Sequence, residues 1–196
     1  MENEVRLKIN SMSAMLRPAE AFALVMEEAD GERKMPVIIG ALEAQAVRVA
    51  LSGVPVPRPL TSDLLVHVVS RLGGTVDRVL IYKVRDGIYY SYLILKKGDE
   101  DIQIDCRTSD AIAIALRTGA GIFTTEEIIS CHQLREEREG VFSINIDMVG
   151  VKALEEALDN AVESENYELA SKLRDEIERR KQSGMTSAPG IDDELS

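Results

Sequence analysis

The sequence predicts an α+β or mixed α/β body with a mixed, largely antiparallel sheet and several helices, followed by a C-terminal two-helix hairpin. Three observations predict it. Stretches in which apolar and polar residues alternate, the period of a half-buried strand, recur along residues 1–133. Apolar residues at helical spacing separate them. Beyond about Cys131 the chain turns charged and then purely helical in its patterning.

The elements follow in order. "EVRLKINSMS" alternates Val5, Leu7 and Ile9 with charged residues and reads as a strand. "AFALVMEEADGERKMPVIIG" reads as two short strands joined at "DGE", with Pro36 at the start of the second, where a missing N–H is tolerated. Gly40 ends that strand. A helix follows over "ALEAQAVRVALSG", with Leu42, Ala46, Val49 and Ala50 at helical spacing and Gly53 as its stop. The prolines of "VPVPRPL" make a stiff extended loop. "TSDLLVHVVSRLGG" is a second helix, with Thr61 or Ser62 as cap and Asp63 at the positive end of the dipole. "TVDRVLIYKV", "GIYYSYLILKK" and "EDIQIDCR" form an antiparallel meander with turns at "RDG" and "KKGDED". A helix runs from about Ser109 to Arg117, apolar on nearly every face and therefore buried. "AGIFTTEEIIS" supplies a short strand and a short helix. The expected organisation is a body over 1–133, a linker over 134–147, a helical hairpin over 148–183 and a disordered tail over 184–196. In the hairpin, Leu154, Leu158 and Val162 form one stripe and Leu169, Leu173 and Ile177 another, broken at Glu165–Asn166. Two short amphipathic helices are expected to need a partner or a second copy to bury both stripes.

Composition narrows the function. The net charge of −11 tells against a simple basic nucleic-acid binder. The charge is uneven, with a balance of −4 over residues 1–140 and −7 over 141–196, so the body can still carry a basic patch. Cys106 and Cys131 are too few for a zinc site or a disulfide framework. No apolar run approaches the ~18 residues of a membrane span, and the start lacks a signal-peptide core. The expected location is the cytoplasm.

Two polar clusters open helices. "IDCRTSD" places Asp105, Arg107, Ser109 and Asp110 where a strand passes into the apolar helix. One reading is structural: Thr108 or Ser109 caps the helix, Asp110 complements its dipole and Arg107 pairs with Asp105. The other is chemical: a carboxylate pair holds Mg²⁺ or Mn²⁺ for phosphodiester hydrolysis, with Arg107 against the phosphate. "PRPLTSD" places Arg58, Ser62 and Asp63 at another helix start, where Arg58 on a rigid loop can clamp a phosphate. Glu43 lies in the first turn after Gly40 and is the third candidate. His67 reads as a packed helical histidine and His132 as a solvated one. There is no P-loop, no G-x-G-x-x-G and no EF-hand spacing.

"MPVIIGALEAQAV", "RPLTSDLL", "RDGIYYSYLIL" and "IDCRTSDAIAIALRTGAGIF", taken together and in this order, resemble the bifunctional nuclease (DUF151) domain over about residues 5–131. The resemblance implies a mixed α/β fold, a homodimer and cleavage of DNA and RNA. Its motif positions fall on Glu43, Arg58, Asp63, Asp86, Asp105, Arg107, Ser109 and Asp110. The implied catalytic set is Asp63, Asp105, Asp110 and Glu43, with Asp105, Asp110 and Asp63 as metal ligands for Mg²⁺ or Mn²⁺. Arg58, Arg107, Ser109 and Ser62 would contact substrate. The chain departs from the family pattern at Ser62, usually His, and at Thr108 and Gly121, both usually Pro. If that His is a base or a ligand, Ser cannot replace it near neutral pH. The run "LEEALDNAVESENYELASKLRDEIERRK" resembles the UVR motif of UvrB and UvrC, which implies protein docking. Two functions are therefore expected to compete: a nuclease, or a non-catalytic adaptor working through residues 148–183.

Overall fold

The computed structural model describes residues 4–13, 21–138, 141–143, 151–163 and 166–184. The elements run β1 (Glu4–Met12), β2 (Ala21–Glu28), β3 (Lys34–Gly40), α1 (Ala41–Ser52), α2 (Thr61–Arg71), β4 (Thr75–Arg85), β5 (Ile88–Lys97), β6 (Glu100–Arg107), α3 (Thr108–Thr118), β7 (Gly121–Thr125) and α4 (Glu126–Cys131). A small pair, β8 (Arg135–Arg138) and β9 (Val141–Ser143), then precedes α5 (Val151–Glu163) and α6 (Tyr167–Gly184).

Among the described residues, seven strands form one sheet in the order β3-β2-β1-β7-β4-β5-β6. All pairings are antiparallel except β4 with β7. The α+β class expected from alternation is the class observed. The parallel pair arises because α3 carries the chain back across the sheet to start β7 beside β4.

α3 is the centre of the body. It packs against α1 and α2 and lies over β4, β5 and β6. Ala111 through Ala115 are all buried, as their apolar run requires. Burial of Ile112 alone removes enough apolar surface to contribute about 2 kcal/mol. Gly119 ends the helix at φ 74°, a left-handed conformation that a side chain disfavours. Leu24, Met26, Val79, Ile81 and Leu93 complete the core beneath it.

Several sequence expectations are corrected. In α1 the buried face is Ala44 and Val47, while Leu42 is 80% exposed. α2 buries no residue completely, and His67 is exposed rather than packed. His132 is half-buried, with Nδ1 3.0 Å from the Ile128 carbonyl and its ring edge-on to Tyr89. The stretch expected as a linker starts with a buried Leu134, whose N–H donates to the Lys34 carbonyl, and contains β8 and β9. In the hairpin, Leu154, Ala161, Ala170, Leu173 and Ile177 bury one another. The two helices thus cover much of each other's apolar surface, but Val162 and Leu169, expected in the stripes, stay outside at 46% and 39% exposure. Residues 185–196, most of the expected tail, lie outside the described residues.

Candidate active site

β6 passes into α3 with no intervening loop. Arg107 is the last strand residue and the N-cap, at φ −67° and ψ 137°. No side chain caps this helix, so the expected Thr108 or Ser109 cap is absent. Thr108 is buried instead and holds the helix start to β5. Its hydroxyl donates to the Tyr89 carbonyl at 3.0 Å, and the Ser91 hydroxyl lies 2.6 Å away, placed to donate to it. Each such buried bond is worth about 1 kcal/mol. Ser109, also buried, faces a cavity of about 280 Å³. The end of β3 (Val37–Gly40), the β4–β5 turn (Gly87–Tyr89) and Arg107–Ser109 line it. The Tyr89 hydroxyl is buried and has no hydrogen-bond partner among the described residues, and burial pushes its pKa up.

Arg107 organises the mouth of this cavity. Its Nη2 donates to Glu43 Oε1, and its Nε lies 3.9 Å from Asp110 Oδ2. Arg107 is not paired with Asp105, as the structural reading expected. The Arg107 bond holds the Glu43 carboxyl below its ordinary value, against burial. Glu43 in turn raises the Arg107 pKa. The cluster is open to solvent: the side chains of Arg107 and Asp110 are 65% and 58% exposed. Gly40 makes room for Glu43, because a Cβ there would stand 2.5 Å from Glu43 Oε2.

The other expected residues lie elsewhere. Asp63 sits at the far end of α3. Its Oδ1 accepts from Arg117 Nε at 2.5 Å and its Oδ2 from the Leu60 N–H at 2.8 Å. Burial works against its charged form, but Leu60 and Arg117 outweigh it and hold the pKa low. Asp110 and Arg117 are seven residues apart on one helix, roughly 10 Å along the axis. Arg58 and Ser62 belong with Asp63, the first exposed in the proline loop and the second in the first turn of α2. Asp105 points away from the helices and accepts from the Tyr82 hydroxyl at 3.1 Å. Asp86 occupies the β4–β5 turn at φ 52°, and its carbonyl accepts from Arg180 Nη1 of α6 at 3.2 Å. Among the described residues no group of three or more His, Cys, Asp or Glu side chains could hold a metal ion. Asp63, Asp105 and Asp110, expected to share one ion, are thus not gathered into such a group among the described residues.

Arg117 escaped the sequence reading because it meets Asp63 across 54 residues. Tyr82, Tyr90 and Tyr92 were legible as strand residues, but their clustering depends on which strands pair. The signal for them was "GIYYSY", where period two puts Tyr90 and Tyr92 on one face.

Comparison with known proteins shows the family. Residues 24–137 match the bifunctional nuclease domain, and residues 151–182 match the UvrB/UvrC motif. An uncharacterized protein of Mycobacterium tuberculosis H37Rv is 37% identical over 114 residues, covering 58% of this chain and 68% of that protein. Bifunctional nuclease 1 of Oryza sativa subsp. japonica is 32% identical over 103 residues, and Bifunctional nuclease 1 of Arabidopsis thaliana 30% over 103. Each of these two alignments covers 51% of this chain and 31% of the plant protein, so the chain spans about a third of their length. With more than half of its length matched, the chain belongs to the bifunctional nuclease domain family and carries a UvrB/UvrC-type hairpin at its C-terminal side.

Proposed function

We propose that the chain is a nuclease that hydrolyses phosphodiester bonds of DNA or RNA at the N-terminal end of α3. One observation carries this reading: an exposed arginine stands between two carboxylates at the mouth of a cavity in a bifunctional nuclease domain. Arg107 is placed to exchange its carboxylate partners for a phosphate, which suits the planar guanidinium equally well. That exchange frees Glu43 from the bond that keeps its pKa low, so substrate binding strengthens the nearby base. Asp110 or Glu43 then takes the proton of the attacking water, and Ser109 can hydrogen-bond a phosphate oxygen.

A divalent ion, Mg²⁺ or Mn²⁺, would have no more than two protein ligands here, Glu43 and Asp110. Such an ion commonly pairs one or two carboxylates with substrate phosphate oxygens, and would supply charge neutralisation. The test is cleavage of labelled single-stranded DNA and RNA by the purified Glu43→Gln/Asp110→Asn variant. Loss of cleavage with an unchanged melting temperature supports the reading. Undiminished cleavage places the chemistry elsewhere.

A second reading, a non-catalytic adaptor, is favoured by the exposed Val162, Tyr167 and Leu169 beside the hairpin's turn and by Ser62 in place of the usual His. It predicts no cleavage by the unmodified protein, and a protein partner whose binding requires residues 148–183. We place either activity in the cytoplasm and expect a homodimer. Among the described residues no helix is long and apolar enough to cross a membrane.

A further inference from the structure

The sheet face turned away from α3 carries a group of aromatic rings on β4 and β5. Tyr89 and Ser91 point to the helix side, so alternation turns Tyr90 and Tyr92 to the other. Tyr82 joins them from a bulge in β4. The Tyr82 and Tyr92 rings are parallel within 9° at a centroid distance of 3.9 Å, and Tyr90 stands 6.5 Å from Tyr82 at a tilt of 60°. None of the three is fully buried. Asp105 fixes the Tyr82 ring through its hydroxyl.

Three cations, Lys83, Arg85 and Arg107, lie beside these rings, the last two already paired with carboxylates. Lys83 Nζ lies 5.6 Å from the centre of the Tyr90 ring, and Arg107 is the partner of Tyr90 across β6. Arg85 follows, paired with Asp86 at 3.5 Å. Asp105, a carboxylate among the rings, is the partner of Tyr92 and is engaged by Tyr82. Bases would approach it there, not phosphates. The strip of rings thus runs past Lys83 to Arg107, which lines the cavity.

We propose that this face binds single-stranded nucleic acid, with bases stacked on Tyr82, Tyr90 and Tyr92 and the backbone led past Lys83 to Arg107. This deepens the nuclease reading and rests on it for the identity of the ligand. Tyrosines held on a sheet offer a stacking surface to any unpaired base, whereas paired bases hide their faces. The protein therefore prefers single strands to duplexes. The Tyr82 and Tyr92 rings are already parallel, so little ordering of these two remains to be done on binding.

The test measures fluorescence anisotropy of labelled oligothymidylate and of a duplex with the full chain in EDTA. Hydrolysis of bis(p-nitrophenyl) phosphate, which has no bases, is followed in parallel. In the Tyr82→Ala/Tyr92→Ala variant, single-strand affinity falls about tenfold or more while hydrolysis of the small diester is unchanged. Tyr82→Phe and Tyr92→Phe keep the affinity, because the ring and not the hydroxyl stacks. If the double variant fails to fold, Tyr90→Ala gives the same reading. Equal single-strand affinity in wild type and a folded variant overturns the proposal, as does equal affinity for the duplex. A changed oligomeric mass with unchanged affinity makes the face a subunit contact and also overturns it. Tyrosine-dependent binding without hydrolysis of the diester by wild type supports the platform and sinks the nuclease reading instead.

Discussion

The two ends of α3 carry the same kind of interaction to opposite purposes. At the C-terminal end Arg117 is nearly buried, at 9% side-chain exposure, and donates to Asp63 and to the Ala113 carbonyl. Each of its partners is fixed by a helix, and Asp63 is itself held by the Leu60 amide. At the N-terminal end Arg107 is open to solvent and shares two carboxylates beside a cavity. A buried pair whose partners are all satisfied locks helices together and is expensive to open. An exposed pair is worth little to stability and gives up its partner readily. The difference teaches that an Arg–carboxylate pair says nothing about function until its burial is known.

The comparison breaks most readily at Arg107. Replacing it with Ala should lower cleavage of single-stranded substrate by about a hundredfold or more, through loss of charge stabilisation at the phosphate. The melting temperature should stay nearly constant. Arg117→Ala should do the reverse. It strands Asp63 against α3 and should cost about 2–4 kcal/mol in denaturant unfolding, with cleavage per folded molecule retained.

Acid probes the closed end directly. The Asp63 pKa is depressed below 3.8 in the folded state. Its contribution to stability is therefore fully present above the unfolded value and is lost as pH falls through the folded one. Unfolding curves of wild type and Asp63→Asn should converge as the pH drops through that window. Parallel curves at all pH values would show that Asp63 carries no such linkage.

Two smaller effects sharpen the picture. Gly40→Ala fits its backbone, at φ −72°, but crowds the Glu43 carboxyl. It should reduce cleavage several-fold, roughly 3–10-fold, with little change in stability. Ser62→His restores the residue usual in the family, but on the Asp63 side of the molecule. Cleavage should change by less than about threefold, measured as kcat/KM. A large gain would return the C-terminal end of α3 to the chemistry.

Much of the fold was legible because its signals are local. The alternation in "TVDRVLIYKV" and "GIYYSYLILKK" and the apolar run after Ser109 each depend on near neighbours, and each produced the expected element. The family was legible too, since its motifs are contiguous. The arrangement of the site was not. Whether Asp63 meets Asp110 or Arg117 depends on how α2 packs against α3, and nothing in "PRPLTSD" records that. Asp105 and Arg107 are two residues apart on one strand face, yet Asp105 turns to Tyr82 while Arg107 reaches across to α1. The hairpin misled in the other direction. Its stripes looked unpartnered because the sequence does not show that Leu154 and Ala161 meet Ala170, Leu173 and Ile177.

If the proposed chemistry belongs to the open end of α3, the closed end serves stability alone. The most direct measurement assays Asp110→Asn and Asp63→Asn side by side, for both cleavage of a single-stranded oligonucleotide and melting temperature. The account predicts a crossed result: Asp110→Asn loses cleavage and keeps its melting temperature, and Asp63→Asn loses melting temperature and keeps cleavage per folded molecule. Loss of cleavage in Asp63→Asn at full stability, with Asp110→Asn still active, would contradict it.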